Sequence, residues 1–111
     1  MIGYKVCSKE DGKYMSYCRF PGRAIREYIL NQTTIPGTGF GPLCVFDTLA
    51  DAICFIKFDG ALEKDTAIFR CEYSPSSKTY LYDGINKWDI LKCSGGTVFA
   101  DDVTIMEEIN A

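Results

Sequence analysis

The chain has 111 residues, 47% of them hydrophobic and 24% charged, and carries a formal charge of −3 with a pI near 4.8. That balance excludes a disordered chain, which needs low hydrophobicity and high net charge. It also argues against a nucleic-acid partner, because the twelve cations are scattered and Arg19, Arg23 and Arg26 form their densest group, whereas phosphate binding calls for a basic stripe.

The size predicts one domain over 1–111 with a core that needs neither metal nor disulfide. The longest apolar run is far below the ~20 residues of a membrane span, so no membrane partner is expected. Met1–Val6 reads as a strand and lacks the apolar region of a signal peptide, which predicts a cytoplasmic protein. Its six cysteines (7, 18, 44, 54, 71 and 93) are then expected as free thiols, mostly acting as small hydrophobes. The chain has no histidine. This removes Ser-His and Cys-His nucleophiles and imidazole zinc sites, leaving carboxylates, Lys, Tyr or Cys for any catalysis.

In chain order, residues 2–7 and 13–18 alternate as strands joined by a hairpin turn at Asp11-Gly12, where positive φ is required. Pro21-Gly22 punctuates the chain. Residues 23–30 fit one helical face (Ile25, Tyr28, Ile29) or a short strand, so a second short helix near 22–30 is one of two readings. Pro36–Pro42 is a loop dense in turn formers. Leu43–Phe46 is a continuously apolar strand. Thr48 and Asp51 then form a capping box for a helix over about 48–58, with Leu49, Ala52, Ile53 and Ile56 as its apolar stripe and Gly60 beyond its end. Ala67–Tyr73 alternates as a strand. Thr79–Trp88 is less regular, with a turn at Asp83-Gly84. Asp89–Cys93 reads as a short strand, Ser94–Gly96 as a turn, and Thr97–Met106 as a last strand interrupted at Asp101-Asp102. The fold expected is α+β: a mostly antiparallel sheet of about five to six strands with one clear helix packed on it.

Gly37, Gly39 and Gly41 resemble a phosphate cradle only in composition. No Lys-Ser/Thr follows and the next element is a strand, so the loop offers backbone to a ligand without a nucleotide motif. Tyr80, Tyr82 and Trp88 suit either a stacking surface or loop packing. Asp101-Asp102 beside Glu107-Glu108 has the oxygen donors of a hard-cation site. Neighbouring strand residues point to opposite faces, however, so a bulge with solvated charges is expected and no metal. Cys18 beside Arg19 is the least inert thiol.

Gly3-Tyr4-Lys5-Val6, the Asp11-Gly12-Lys13 turn with Ser16, Leu43–Phe46 running into Asp47-Thr48-Leu49, and Gly96–Asp101 with Val103 and Thr104 resemble small uncharacterised proteins of phages, other viruses and bacteria. The resemblance implies a phage or viral accessory protein, acting in the host cytoplasm if viral, with no assigned chemistry. The element order, ending in Asp89–Thr97, is also similar to ADP-ribosyltransferases. That similarity implies Asp89 at the place of the catalytic Glu and Lys5 at that of the nicotinamide-side Arg. Asp is a methylene shorter and Lys lacks the planar fork, and Cys44-Val45-Phe46-Asp47 replaces the family's Ser-Thr-Ser motif. The implication is a degenerate site binding NAD or another small nucleotide. The expected function is a non-enzymatic binding protein without cofactor, inhibiting a host factor, with a protein or small molecule as partner.

Overall fold

In the computed structural model of the protein, the described residues are 1–17, 26–37, 39, 41–58, 65–82, 87–93 and 95–109, with the side chains of Phe58, Trp88 and Lys92 left aside. In chain order they form β1 (Ile2–Glu10), β2 (Lys13–Ser16), β3 (Glu27–Tyr28), β4 (Thr33–Thr34) and β5 (Leu43–Phe46). After these come α1 (Leu49–Phe58), β6 (Thr66–Pro75), β7 (Tyr80–Tyr82), β8 (Lys87–Asp89) and β9 (Thr97–Ile109). The architecture is α+β and its described pairings are antiparallel, but the strands outnumber the five to six expected: seven share one sheet and β7–β8 form a second. Two-residue strands such as β3 and β4 carry no periodicity of their own. Their existence depends on a neighbour supplying the ladder.

The main sheet closes on itself. β1 pairs with β6, β6 with β9, β9 with β5, and β5 returns to β1 through Tyr4↔Phe46. Beyond that narrow end β1 pairs with β2, β2 with β3, and β4 with β9, so the circuit widens. Closure satisfies backbone groups that an open edge would expose.

β9 makes the closure possible by changing face along its length. Ala100 pairs with Pro75 but Asp102 with Ser74, so Asp101 is an extra residue; a second shift lies between the pairs Cys71↔Ile105 and Arg70↔Glu107. A bulge reverses the parity of the residues that follow it. Ala100, then Val103 and Ile105, thereby line the interior with Val45, Phe69 and Cys71, while Ile109 packs on the helix side. Gly3 tightens the narrow end, since a Cβ there would lie 2.8 Å from the Tyr73 ring and 2.9 Å from the Phe46 carbonyl oxygen.

Helix α1 follows its local signals. Thr48 Oγ1 accepts from the Asp51 amide at 3.1 Å and donates to the Asp51 carboxylate at 2.8 Å. The stripe Leu49, Ala52, Ile53 and Ile56 packs with Phe55 on Val6, Phe46 and Ile68 of the sheet's outer face. At Asp11-Gly12, φ values of 51° and 77° give the turn between β1 and β2 the conformation expected of it.

Of the segment read as helix or strand, Glu27–Tyr28 is a strand because Tyr14 and Met15 pair with it; residues 22–25 lie outside the described residues. Asp89–Cys93 is not a strand. β8 ends at Asp89, whose carboxylate accepts from the Leu91 amide at 2.9 Å and opens a 3₁₀ turn over Ile90–Lys92. The last strand runs on to Ile109, past the expected Met106. The expected features at Pro21-Gly22, Gly60, Asp83-Gly84, Ser94 and Cys18-Arg19 lie outside the described residues.

Candidate functional site

Two of the segments singled out in the sequence meet. Gly41 and Tyr82 form a reciprocal backbone pair, with Gly41 N–H donating to the Tyr82 carbonyl at 2.9 Å and Tyr82 N–H to the Gly41 carbonyl at 2.8 Å. The glycine loop is thus joined to the aromatic hairpin, outside the closed sheet. Gly41 is buried at φ 114°, and a Cβ there would lie 2.6 Å from the Pro36 ring. Glycine is required here for both reasons. Gly39 (φ 82°) is exposed with open space around it, and Gly37 is half-buried. We expect Gly41→Ala to cost about 1–3 kcal/mol of stability through strain and contact with Pro36. Urea titration measures the loss, and hydrogen exchange should show the Tyr82 amide losing its protection.

In the hairpin, Tyr80 lies opposite Asp89 and Tyr82 opposite Lys87, so these four share a face. Tyr80 is 37% exposed, and the Lys87 ammonium sits 4.8 Å from its ring centroid, within cation–π range. Trp88 pairs with Leu81 through its backbone, and its side chain is outside the described set. Just beyond, the 3₁₀ turn lifts Leu91 into solvent, 89% exposed. Sequence reading placed Leu91 in a strand and missed it. The available signal was Asp89 two residues before, an N-cap residue type at capping distance.

Lys5 and Asp89 are not brought to one place. Lys5 is enclosed in the main sheet, 6% exposed, and donates to the Cys44 carbonyl at 2.7 Å with its ammonium 5.0 Å from the Tyr28 ring centroid. Asp89 is exposed in the second sheet and engaged in its cap. Burial works against the Lys5 charge, but the ionisable Tyr28, Cys7 and Cys44 around it more than offset this, and its pKa lies above the usual value. Burial pushes the Cys7 thiol up to about 12, the Cys71 thiol up to about 11, and the Tyr28 phenol above its ordinary range. The Tyr28 hydroxyl lies beside Lys5 and Ser16, which offset part of the effect of its burial. At neutral pH the interior therefore holds one ammonium among neutral thiols and a neutral phenol, an arrangement without a nucleophile.

The acidic pairs of β9 diverge as well. Asp102 accepts from the Ser74 amide at 3.2 Å, Glu107 pairs with Arg70 at 3.0 Å, and Glu108 with Lys9 at 3.5 Å. Among the described residues no group of three or more His, Cys, Asp or Glu side chains could hold a metal ion. The described cysteines 7, 54, 71 and 93 are free thiols, and burial followed by the Asp89 carboxylate raises the pKa of Cys93. No helix among the described residues is long and apolar enough to cross a membrane. No protein family, curated protein or solved structure matches the chain.

Proposed function

We propose that the chain is a non-enzymatic interaction protein, of the viral or phage accessory kind its sequence resembles, and that it binds a protein partner through the hairpin and the glycine loop joined to it. The observation that carries this reading is the Gly41–Tyr82 pair, which holds the loop against a hairpin presenting Tyr80 and Leu91 to solvent. An 89%-exposed Leu beside a half-open Tyr has the make-up of an interface anchor: an aromatic and an aliphatic group that gain by losing water.

The test is affinity capture from host lysate with the wild type and with Tyr80→Ala/Leu91→Ser. Leu91 already faces water, and Tyr80 gives up its contact with Lys87 and its partial burial, so the variant should stay folded and lose about 1–2 kcal/mol against the wild type. A partner held by the wild type and lost from the folded variant is the expected result; a partner held equally by both would overturn it. Millimolar NAD should leave the melting temperature unchanged. A ligand at a hundred times its dissociation constant adds about 2.7 kcal/mol, so a clear upward shift would replace this reading with a nucleotide site.

A further inference from the structure

At its narrow end the main sheet is closed by backbone pairing; at its wide end it is not. There β3 and β4 are the two ends of the strand order. The turn between them starts as a hairpin, with the Gln32 amide donating to the Ile29 carbonyl at 3.0 Å. A regular ladder would next bond Glu27 to Thr34 through their backbones. Glu27 is placed for it: the Ser16 amide donates to the Arg26 carbonyl at 2.9 Å, so the backbone groups of Glu27 point away from β2. Thr34 is not. The Asn31 amide donates to the Ile105 carbonyl at 2.8 Å, so Ile105 and Val103 turn their groups toward β4, and Val103 takes those of Thr34. The turn through Asn31, at φ 62°, thus hands β4 to β9 and leaves β3 without a ladder partner on that side.

Two side chains bridge this seam instead. Thr34 Oγ1 donates to the Glu27 carbonyl at 3.4 Å, and Arg26 Nε to the Ile35 carbonyl at 3.1 Å. The first bond is long and the second is exposed to water. Among the described residues no backbone hydrogen bond crosses from 26–28 to 33–35. Ile29, Leu30 and Ile35 on the rim are 45%, 41% and 59% exposed, so little apolar burial holds it shut. Behind it lie Tyr28, with the Lys5 ammonium on its ring, and Cys7, which stands opposite Ser16 of β2. We propose that the seam is a gate: β3, carried on β2, parts from β4 while the ladders β1–β2, β2–β3 and β4–β9 stay intact, and small solutes then reach Lys5 and Cys7. The narrow end, where β5 joins β1 to β9, stays shut.

Alkylation of Cys7 by iodoacetamide, located by mass spectrometry on the full chain, tests this, with the exposed Cys54 as the measure of unhindered reactivity. Cys7 is fully buried, so it reacts only when something opens. Gate opening uncovers little surface, so Cys7 labelling should be nearly independent of urea at low concentration. The opening constant it reports should exceed that from exchange of the Tyr14 and Tyr28 amides, which stay bonded to each other in the open gate. Arg26→Met and Thr34→Val each remove one bridge and should speed Cys7 labelling about fivefold, the factor such a bond is worth. Arg26 is exposed, so its variant folds as the wild type does. Thr33→Val removes a hydroxyl pair with Thr104 on the β9 side of β4, away from the seam, and should change the rate less than about twofold. Labelling that climbs steeply with urea from the outset, or matches the amides, follows unfolding and overturns the proposal. So does a Cys7 that never reacts in the folded chain, bridge variants that label at the wild-type rate, or a Thr33→Val effect equal to that of Thr34→Val. Tyr80 and Leu91 take no part, so partner capture is read separately.

Discussion

Raising the pH from 8 to 11 is expected to remove about 4–5 kcal/mol of folding stability, most of it through Cys7 and Cys71. Burial holds both thiols protonated, near 12 and 11 in the folded chain against 9.0 when unfolded. A folded value above the unfolded one means that the fold binds the proton more tightly. The stabilisation is therefore complete below about pH 9 and is lost as the pH climbs toward the folded values, because the unfolded chain ionises first. At pH 11 each thiol contributes about 2–3 kcal/mol of that loss by the same linkage. Lys5 and Tyr28 lie above their ordinary values too and act in the same direction at the upper end of the range. Urea unfolding between pH 7 and 11 measures the slope, and Cys7→Ala should remove about half of it. A stability that is flat across this window would show that the interior admits water at these positions.

The second large effect is expected from Phe69→Ala. Phe69 is fully buried at the centre of β6, faces Lys5 across β1, and meets Tyr14 edge-on with ring centroids 4.7 Å apart. Removing the ring from a closed interior leaves a cavity that the surrounding strands cannot collapse, because β1 and β9 are fixed to β6 by hydrogen bonds on both sides. The cost should be about 3–5 kcal/mol, a large part of the roughly 5–15 kcal/mol typical of a whole domain. The contrast is Leu91→Ser: at 89% exposure it should change stability by less than about 0.5 kcal/mol. A Phe69→Ala variant that unfolds at the wild-type urea midpoint would contradict the closed packing.

The main sheet and the second sheet divide the molecule's chemistry between them. The interior holds the unusual ionisation states, yet they are those of a packed core: thiols kept neutral and an ammonium seated on a backbone carbonyl. The exposed anchors and the glycine loop belong to the second sheet and what joins it. Substitutions at Tyr80 and Leu91 should leave the fold intact while altering association, which separates the two regions experimentally.

The sequence by itself determined the elements whose causes are local. The Asp11-Gly12 turn needs positive φ at both residues and has it. The Thr48–Asp51 capping box and the stripe from Leu49 to Ile56 dictate α1 wherever it packs. Asp101 is legible as a strand interruption because a charge breaks the apolar alternation of β9, and it sits in a bulge. Only the tertiary structure decided the rest. β3 and β4 are two residues each, too short for periodicity, and are strands because β2 and β9 lie beside them. Lys5 falls in a strand buried on both faces, where alternation cannot say whether a side chain meets solvent or core. Its bond to Cys44, 39 positions away, settles that it meets the core. Neither the glycine loop nor the aromatic hairpin contains any sign of the other, since a backbone pair such as Gly41–Tyr82 uses groups that every residue carries. Their meeting is a property of the closed sheet that sets both segments at one end.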